Sequence, residues 1–272
     1  MAIIALGGKI NSGKDTVGKI IQYLNYFQET GIHPGQGRIQ FIIDALTDSK
    51  KFEVHYETSI TPYCKFGIKK FAGKLKEMAS LFTGISVADM EKSEVKDSLL
   101  GKEWVKYRWA WINSNIWHPC TKQEYDTKKN VSAYKVEEEG MTLRWFLQNF
   151  GTEAVRNNIH QNAWVNALFA DYNPIKPDKV PFNYPNWIIT DMRFPNEFQA
   201  VKDRGGICVR ITRPYQMPQG MDEIARPTTP IHLSEAALDK HVFDYEINNS
   251  GTIDELIKEV QKFINHFNLK SK

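Results

Sequence analysis

Ile3-Ile4-Ala5-Leu6-Gly7-Gly8-Lys9-Ile10-Asn11-Ser12-Gly13-Lys14-Asp15-Thr16 stands near the start of the chain, and the architecture is read outward from it. Ile3 to Leu6 form a short continuous apolar run, as expected of a strand buried on both faces. Gly8 to Lys14 match G-x-x-x-x-G-K, with Asp15 where Ser or Thr is usual. Beyond the loop, Val17, Ile20, Ile21, Leu24 and Phe27 recur at helical spacing and give one apolar face. A strand, a glycine loop and an amphipathic helix in that order suit an anion cradle. The glycines let successive backbone N–H groups turn inward, and the helix start adds its positive dipole end. Lys14 is expected to reach the terminal phosphates of a bound nucleotide. Asp15 stands where a metal-ligating hydroxyl usually stands and is expected to hold Mg²⁺ directly or through water, with Thr16 beside it offering a hydroxyl. The competing reading is a glycine-rich turn that binds nothing.

The rest of the composition narrows the class. The 272 residues are 42% hydrophobic and 25% charged, with 17 Gly and 12 Pro, values of a globular chain rather than a disordered or collagen-like one. No apolar run approaches the roughly 18 to 20 residues of a membrane helix. No signal peptide is read at the start, because the apolar run is short and meets Lys9. Cys64, Cys120 and Cys208 lie far apart with no CxxC, so neither a disulfide framework nor a zinc site is expected, and a reducing cytoplasm fits. The net charge of +3 argues against a dedicated nucleic-acid binder. Residues 1–136 hold 18 Lys and two Arg, whereas residues 137–272 hold eight Lys and seven Arg. Because Arg grips phosphate with a planar fork, the second half hints at bidentate anion recognition, against the alternative of scattered surface cations.

Strands alternate with helices along the chain. A strand over 65–69 leads to a helix bearing Phe71, Leu75, Met78, Ala79 and Phe82. Trp187–Thr190 and Ile207–Ile211 read as strands flanking a helix at Pro195–Lys202, and a last strand near Phe243–Ile247 precedes a helix opened by the capping box Thr252-x-x-Glu255. This is the pattern of a mostly parallel α/β sheet covered on both faces. Residues 30–62, with a strand expected at Ile39–Ile43, and the Trp-rich residues 101–141 read as peripheral insertions. The second of these is open to three roles: an interface in a homodimer, a lid, or a minor core.

Four places carry further chemistry. Asp191-Met192-Arg193-Phe194-Pro195-Asn196-Glu197 follows a strand, at the ligand edge of such a sheet. There Asp191 is expected to orient Mg²⁺ through water and Arg193 to reach the transferring phosphate, unless the segment is a helix cap with a surface arginine. Thr142 to Arg156 reads as two helices joined through Gly151, with Arg144 and Gln148 on one face and Arg156 placed for a monophosphate. Arg210, Arg213 and Arg226 flank a Pro-rich stretch, read over 210–240 as a lid that closes on phosphates or else as a solvated loop. Asn249 and Gly251, between the last strand and helix, fall where phosphate-loop folds approach the purine, or form a plain turn.

A phosphate loop alone does not choose among GTPases, motor ATPases and small-molecule kinases, although the GTPase tetrapeptide N-K-x-D is absent. The segments GGKINSGKDTVGK, FAGKLKEMASLFTG, TLRWFLQNFGTEAVRNNIHQNAWVNAL, IITDMRFPNEFQAVKDRGGICVRITRP and HLSEAALDKHVFDYEINNSGTIDEL together resemble the deoxynucleoside monophosphate kinases of bacteriophages, within the wider nucleoside monophosphate kinase group. The resemblance covers over half the chain in family order, and Asp15 matches its S-G-K-D-T loop. It implies a three-layer phosphate-loop kinase fold spanning 1–272 as a single domain, with a substrate-binding insertion and a lid. It also implies ATP and Mg²⁺ as cofactors, and transfer of the γ-phosphate to a deoxynucleoside monophosphate. By the same resemblance Gly8, Lys9, Asn11, Ser12, Gly13, Lys14, Asp15 and Thr16 hold ATP. Lys14 and Arg193 stabilise the transferring phosphoryl group. Lys69, Phe71, Lys76, Arg144, Gln148, Gly151, Thr152, Glu153, Arg156 and Trp164 surround the acceptor. Small nucleotides are then the partners, with no nucleic acid and no membrane. Two other functions stand beside it: a kinase of another small phosphate ester such as phosphomevalonate, and a nucleotide-gated or DNA-associated ATPase.

Overall fold

In the computed structural model, residues 2–48, 52, 53, 55–60, 63–113, 116–128, 134–173, 185–214 and 236–269 are described. They form two compact units, one of residues 1–74 with 164–272 and the other of residues 75–163.

The first unit is built on a five-stranded sheet in the order β2-β6-β1-β7-β8. The strands are β1 (Ile3–Gly7), β2 (Phe66–Lys69), β6 (Asn186–Met192), β7 (Ile207–Thr212) and β8 (Tyr245–Asn248). Every pairing is parallel. The apolar run Ile3–Leu6 takes the central position because both of its faces are buried. Successive side chains alternate between faces. Ile4 and Leu6 join a core with Val17, Ile20 and Ile21 of the first helix (Lys14–Thr30) and Leu256, Ile257 and Val260 of the last (Ile253–His266). Ile3 and Ala5 join an opposite core with Phe71, Leu168, Phe169, Phe198 and Val201. Helices therefore cover both faces, the three-layer α/β arrangement of a phosphate-loop kinase fold. The capping box at Thr252 and Glu255 is present, with Glu255 Oε2 accepting the Thr252 N–H at 2.7 Å.

Two local expectations are corrected. Ile39–Ile43 is not a strand but part of a helix, Arg38–Thr47. Ile39, Ile42, Ile43 and Leu46 fall at i, i+3, i+4 and i+7, a helical stripe that the β-branched run masks. The stretch 30–62, expected to be a peripheral insertion, contributes Ile42, Ala45 and Ile60 to the same buried cluster as Val17.

The second unit holds a small antiparallel sheet in the order β4-β3-β5, formed by Ile116–Cys120, Lys106–Asn113 and Tyr134–Glu139. The 101–141 segment therefore carries regular structure. Its register sets Lys106 opposite Glu139 and Arg108 opposite Glu137. The two helices expected on either side of Gly151 are one continuous run. Leu143–Gln148 passes into the wider turns of Asn149–Asn157, and the break falls after Asn158. Gly151 is buried inside that run, where a Cβ would lie 2.7 Å from the tip of the Leu75 side chain, and the helical turns continue through it without a bend. Ala79, Met90 and Leu143 form this unit's own core.

Candidate active site

The phosphate loop runs from the end of β1 into the first helix. Gly8 is required by close approach, since a Cβ there would lie 2.4 Å from the Ile211 carbonyl oxygen. Gly13 has φ +94°, a left-handed conformation that a side chain disfavours, and it begins the helix without a side-chain cap. The N–H groups of the first helical turn therefore have no intrahelical partner and suit an anion. Lys14 is only 9% exposed. Its Nζ donates to the carbonyls of Gly8 and Lys9, each at 2.7 Å, and lies 3.4 Å from Ser12 Oγ. The ammonium is thus held over the loop by the loop's own backbone.

One pocket is lined by Gly8, Lys9 and Ser12 of this loop together with Arg193, Arg210, Thr212 and Arg213. The structure thereby brings together the loop and three of the arginines singled out in the sequence. Each arginine reaches the pocket by a different device. Arg193 follows β6, and its backbone is pinned by Glu197, whose Oε2 accepts the N–H groups of Arg193 at 2.8 Å and Phe194 at 3.1 Å. Glu197 is 2% exposed and sits in the first turn of the helix Pro195–Lys202. Arg210 is in β7, at the start of the stretch 210–240 expected as a lid. Its Nη2 donates to the carbonyls of Leu238, Asp239 and His241, and its guanidinium lies 4.3 Å from the Phe243 ring centroid. Arg213 follows β7 directly. Arg226 lies outside the described residues.

Two acidic residues have partners that the sequence did not reveal. Asp191 accepts the N–H of Phe71 at 2.8 Å on Oδ1 and that of Ala72 at 2.9 Å on Oδ2. Both oxygens hold the start of the helix Phe71–Thr83 as a long-range cap. Desolvation pushes the Asp191 carboxyl up, opposed by those two N–H groups and by Lys70 and Arg193. Asp15 Oδ1 accepts the Thr190 hydroxyl at 2.6 Å and lies 3.2 Å from Lys70 Nζ. Partial burial pushes the Asp15 carboxyl up, but the Thr190 hydroxyl, Lys70 and Lys14 outweigh it and hold the group below its ordinary value. An ionised carboxylate is a hard oxygen donor, and Thr16 next in sequence carries a hydroxyl of the same kind. No cluster of three or more acidic, His or Cys ligands occurs among the described residues. Such a set fits Mg²⁺, which keeps most of its waters and takes one or two carboxylates plus phosphate oxygens.

Asn249 and Gly251 serve the loop and the last helix. Asn249 Nδ2 donates to the Ser12 carbonyl at 2.9 Å. A side chain on Gly251 would lie 2.0 Å from Glu255 Oε2, inside the capping box. Of the expected acceptor residues, Phe71 and Trp164 are 2% and 5% exposed. Lys69 Nζ lies 5.3 Å from the Trp187 ring centroid, and Lys76 pairs with Glu91 at 2.6 Å. In the second unit Arg144 makes a two-pronged bond with Asp97, at 2.6 and 3.0 Å. Gln148 is exposed, and Thr152 and Arg156 are half-buried on the same helical run. Glu153 accepts from Asn157 at 3.0 Å. Thr190, Glu197 and Asp97 were assigned no role from sequence. For Glu197 a signal existed: it is the third helical residue after the turn, the capping-box position.

A family model described as "Deoxynucleotide monophosphate kinase" matches residues 89–260. That span begins after the phosphate loop, so loop and match are separate observations. Among curated relatives, the "Deoxynucleotide monophosphate kinase" of Enterobacteria phage T4 is 27% identical over 124 residues, 46% of each chain. The protein of the same name from Escherichia phage RB69 is 24% identical over 123 residues, 45% of each chain. The matched stretch thus spans about half the length of these relatives.

Proposed function

Since the chain belongs to the deoxynucleotide monophosphate kinase family, we propose that it transfers the γ-phosphoryl group of ATP to a deoxynucleoside 5′-monophosphate, giving the diphosphate and ADP. The observation that carries this reading is the single pocket shared by Gly8, Lys9 and Ser12 with Arg193, Arg210 and Arg213. Phosphoryl transfer asks little covalent chemistry of a protein; it asks for alignment and for positive charge around the transferring group. The loop amides and Lys14 take the donor's β- and γ-phosphates, and Arg193 meets the charge that spreads over the transferring oxygens. Arg210 is tied to three carbonyls, so it supports the pocket wall, while Arg213 faces the phosphates. The acceptor's own phosphate oxygen is already ionised and attacks without a general base. Asp15 and Thr16 would hold Mg²⁺, which when bound neutralises charge on the donor's phosphate oxygens. Arg144 and Arg156 recognise the acceptor phosphate, Gln148 reads its base, and Thr152, Glu153, Lys69 and Lys76 complete the acceptor set.

The test is ADP release from ATP in the presence of each deoxy- and ribonucleoside monophosphate in turn, with phosphomevalonate as a further acceptor. Turnover that depends on a deoxynucleoside monophosphate is expected. ATP consumption at the same rate without any acceptor overturns the reading.

A further inference from the structure

We propose that Asn249 is a positioning residue for the donor phosphates: it fixes the Ser12–Gly13 peptide so that the Gly13 N–H is presented to them. The inference deepens the kinase reading and rests on it. The side-chain amide of Asn249 donates to the Ser12 carbonyl at 2.9 Å across 237 residues of sequence, and the bond is buried. A trans peptide is planar, with its C=O and N–H pointing opposite ways. Holding the Ser12 carbonyl toward Asn249 therefore turns the N–H of Gly13 away from Asn249, onto the face of the loop opposite this brace. The brace is itself fixed, because the Asn249 backbone N–H donates to the Thr212 carbonyl at 2.7 Å, and Thr212 lines the same pocket as Arg213. Asn249 is 9% exposed and Ser12 3%, so water does not compete for the bond. The contact is close enough to dictate residue 13: a Cβ on Gly13 would lie 2.4 Å from Asn249 Nδ2.

The test uses Asn249→Asp, which removes the donor, and Asn249→Ser, which shortens the side chain and keeps the backbone bond to Thr212. Dissociation constants are measured for ATP, GTP, inorganic tripolyphosphate and a deoxynucleoside monophosphate. Loss of one amide aimed at a charged oxygen is expected to weaken ATP, GTP and tripolyphosphate by the same factor, about tenfold or more. The monophosphate constant and the ATP-to-GTP ratio are expected to stay unchanged. A changed ratio with unchanged tripolyphosphate binding assigns Asn249 to the base and overturns the proposal, as do variants that bind all four ligands like the wild type. Wild-type protein that binds neither ATP nor tripolyphosphate overturns the kinase reading as well. In wild-type protein the Gly13 amide resonance is expected to move on addition of tripolyphosphate. An unmoved resonance in protein that binds tripolyphosphate overturns the proposal without any variant.

Discussion

Thr190 donates its hydroxyl to Asp15 Oδ1 at 2.6 Å, joining the end of β6 to the first turn of the helix behind the phosphate loop. The bond ties the residue after the loop lysine to the strand beside β1, and Lys70 approaches the same oxygen at 3.2 Å. With its pKa depressed in the folded state, Asp15 contributes stability that is present above its ordinary value of 3.8 and is lost as pH falls through the lower folded value. Asp15→Asn is therefore expected to unfold at a lower temperature than wild type at pH 7. The gap should close as pH falls below 3.8. Thermal unfolding of both proteins across that range checks it; a gap independent of pH contradicts the assignment. Thr190→Val, which removes the buried donor, is expected to cost about 1 kcal/mol.

Asp191 closes the start of the helix Phe71–Thr83 from 119 and 120 residues away. Asp191→Ala leaves the N–H groups of Phe71 and Ala72 without that acceptor in a desolvated place. A loss of about 2 to 4 kcal/mol is expected by denaturant titration. A change near zero would show that water replaces the carboxylate and that the cap is dispensable.

These two bonds also mark where local pattern stops being informative. β1, β6 and β7 are legible because each is a buried apolar run, and the phosphate loop because glycine spacing is a local property. The capping box at Thr252 is legible for the same reason. Tyr107, Trp109 and Trp111 alternate with Arg108 and Ala110, a period of two that identifies β3 but is hidden when the stretch is searched for helical spacing. Asn249 with Ser12, Thr190 with Asp15 and Asp191 with Phe71 pair residues more than a hundred positions apart. Their partners are set by sheet order rather than by spacing. Gly151 shows the converse: its local meaning is a helix end, yet the helical turns run on through it to Asn157.

Glu197 holds the backbone N–H of Arg193. Glu197→Ala frees that turn, and a misplacement near 1 Å in the arginine can cost as much as about 100-fold in turnover. A fall in kcat of roughly ten- to 100-fold is expected, with the KM for ATP little changed, because Arg193 is assigned to charge that develops during transfer. Glu197→Gln keeps one acceptor oxygen and should fall between wild type and Glu197→Ala. Equal losses in kcat and ATP affinity would place Arg193 on the ground-state donor instead.

Arg144 tests the acceptor assignment, because its fork is already filled by Asp97. The Arg144 guanidinium holds the Asp97 carboxyl below its ordinary value, so the pair stays charged at neutral pH. Both side chains are well exposed, at 44% and 58%, and water screens their attraction. Removing either partner should leave the unfolding midpoint nearly unchanged. Substrate affinity should respond unequally. Arg144→Ala removes a two-pronged phosphate contact and is expected to raise the KM for the monophosphate about tenfold or more, with the KM for ATP unchanged. Asp97→Asn leaves the guanidinium in place but replaces its anionic partner with a neutral one, so an incoming phosphate meets weaker competition. The monophosphate KM of Asp97→Asn is expected to fall a few-fold, about two- to fivefold. Steady-state kinetics with each substrate varied separately resolve the two effects. A higher monophosphate KM in Asp97→Asn would mean that the carboxylate aims the arginine at the acceptor instead of competing for it. An unchanged KM in Arg144→Ala would remove this arginine from the acceptor set.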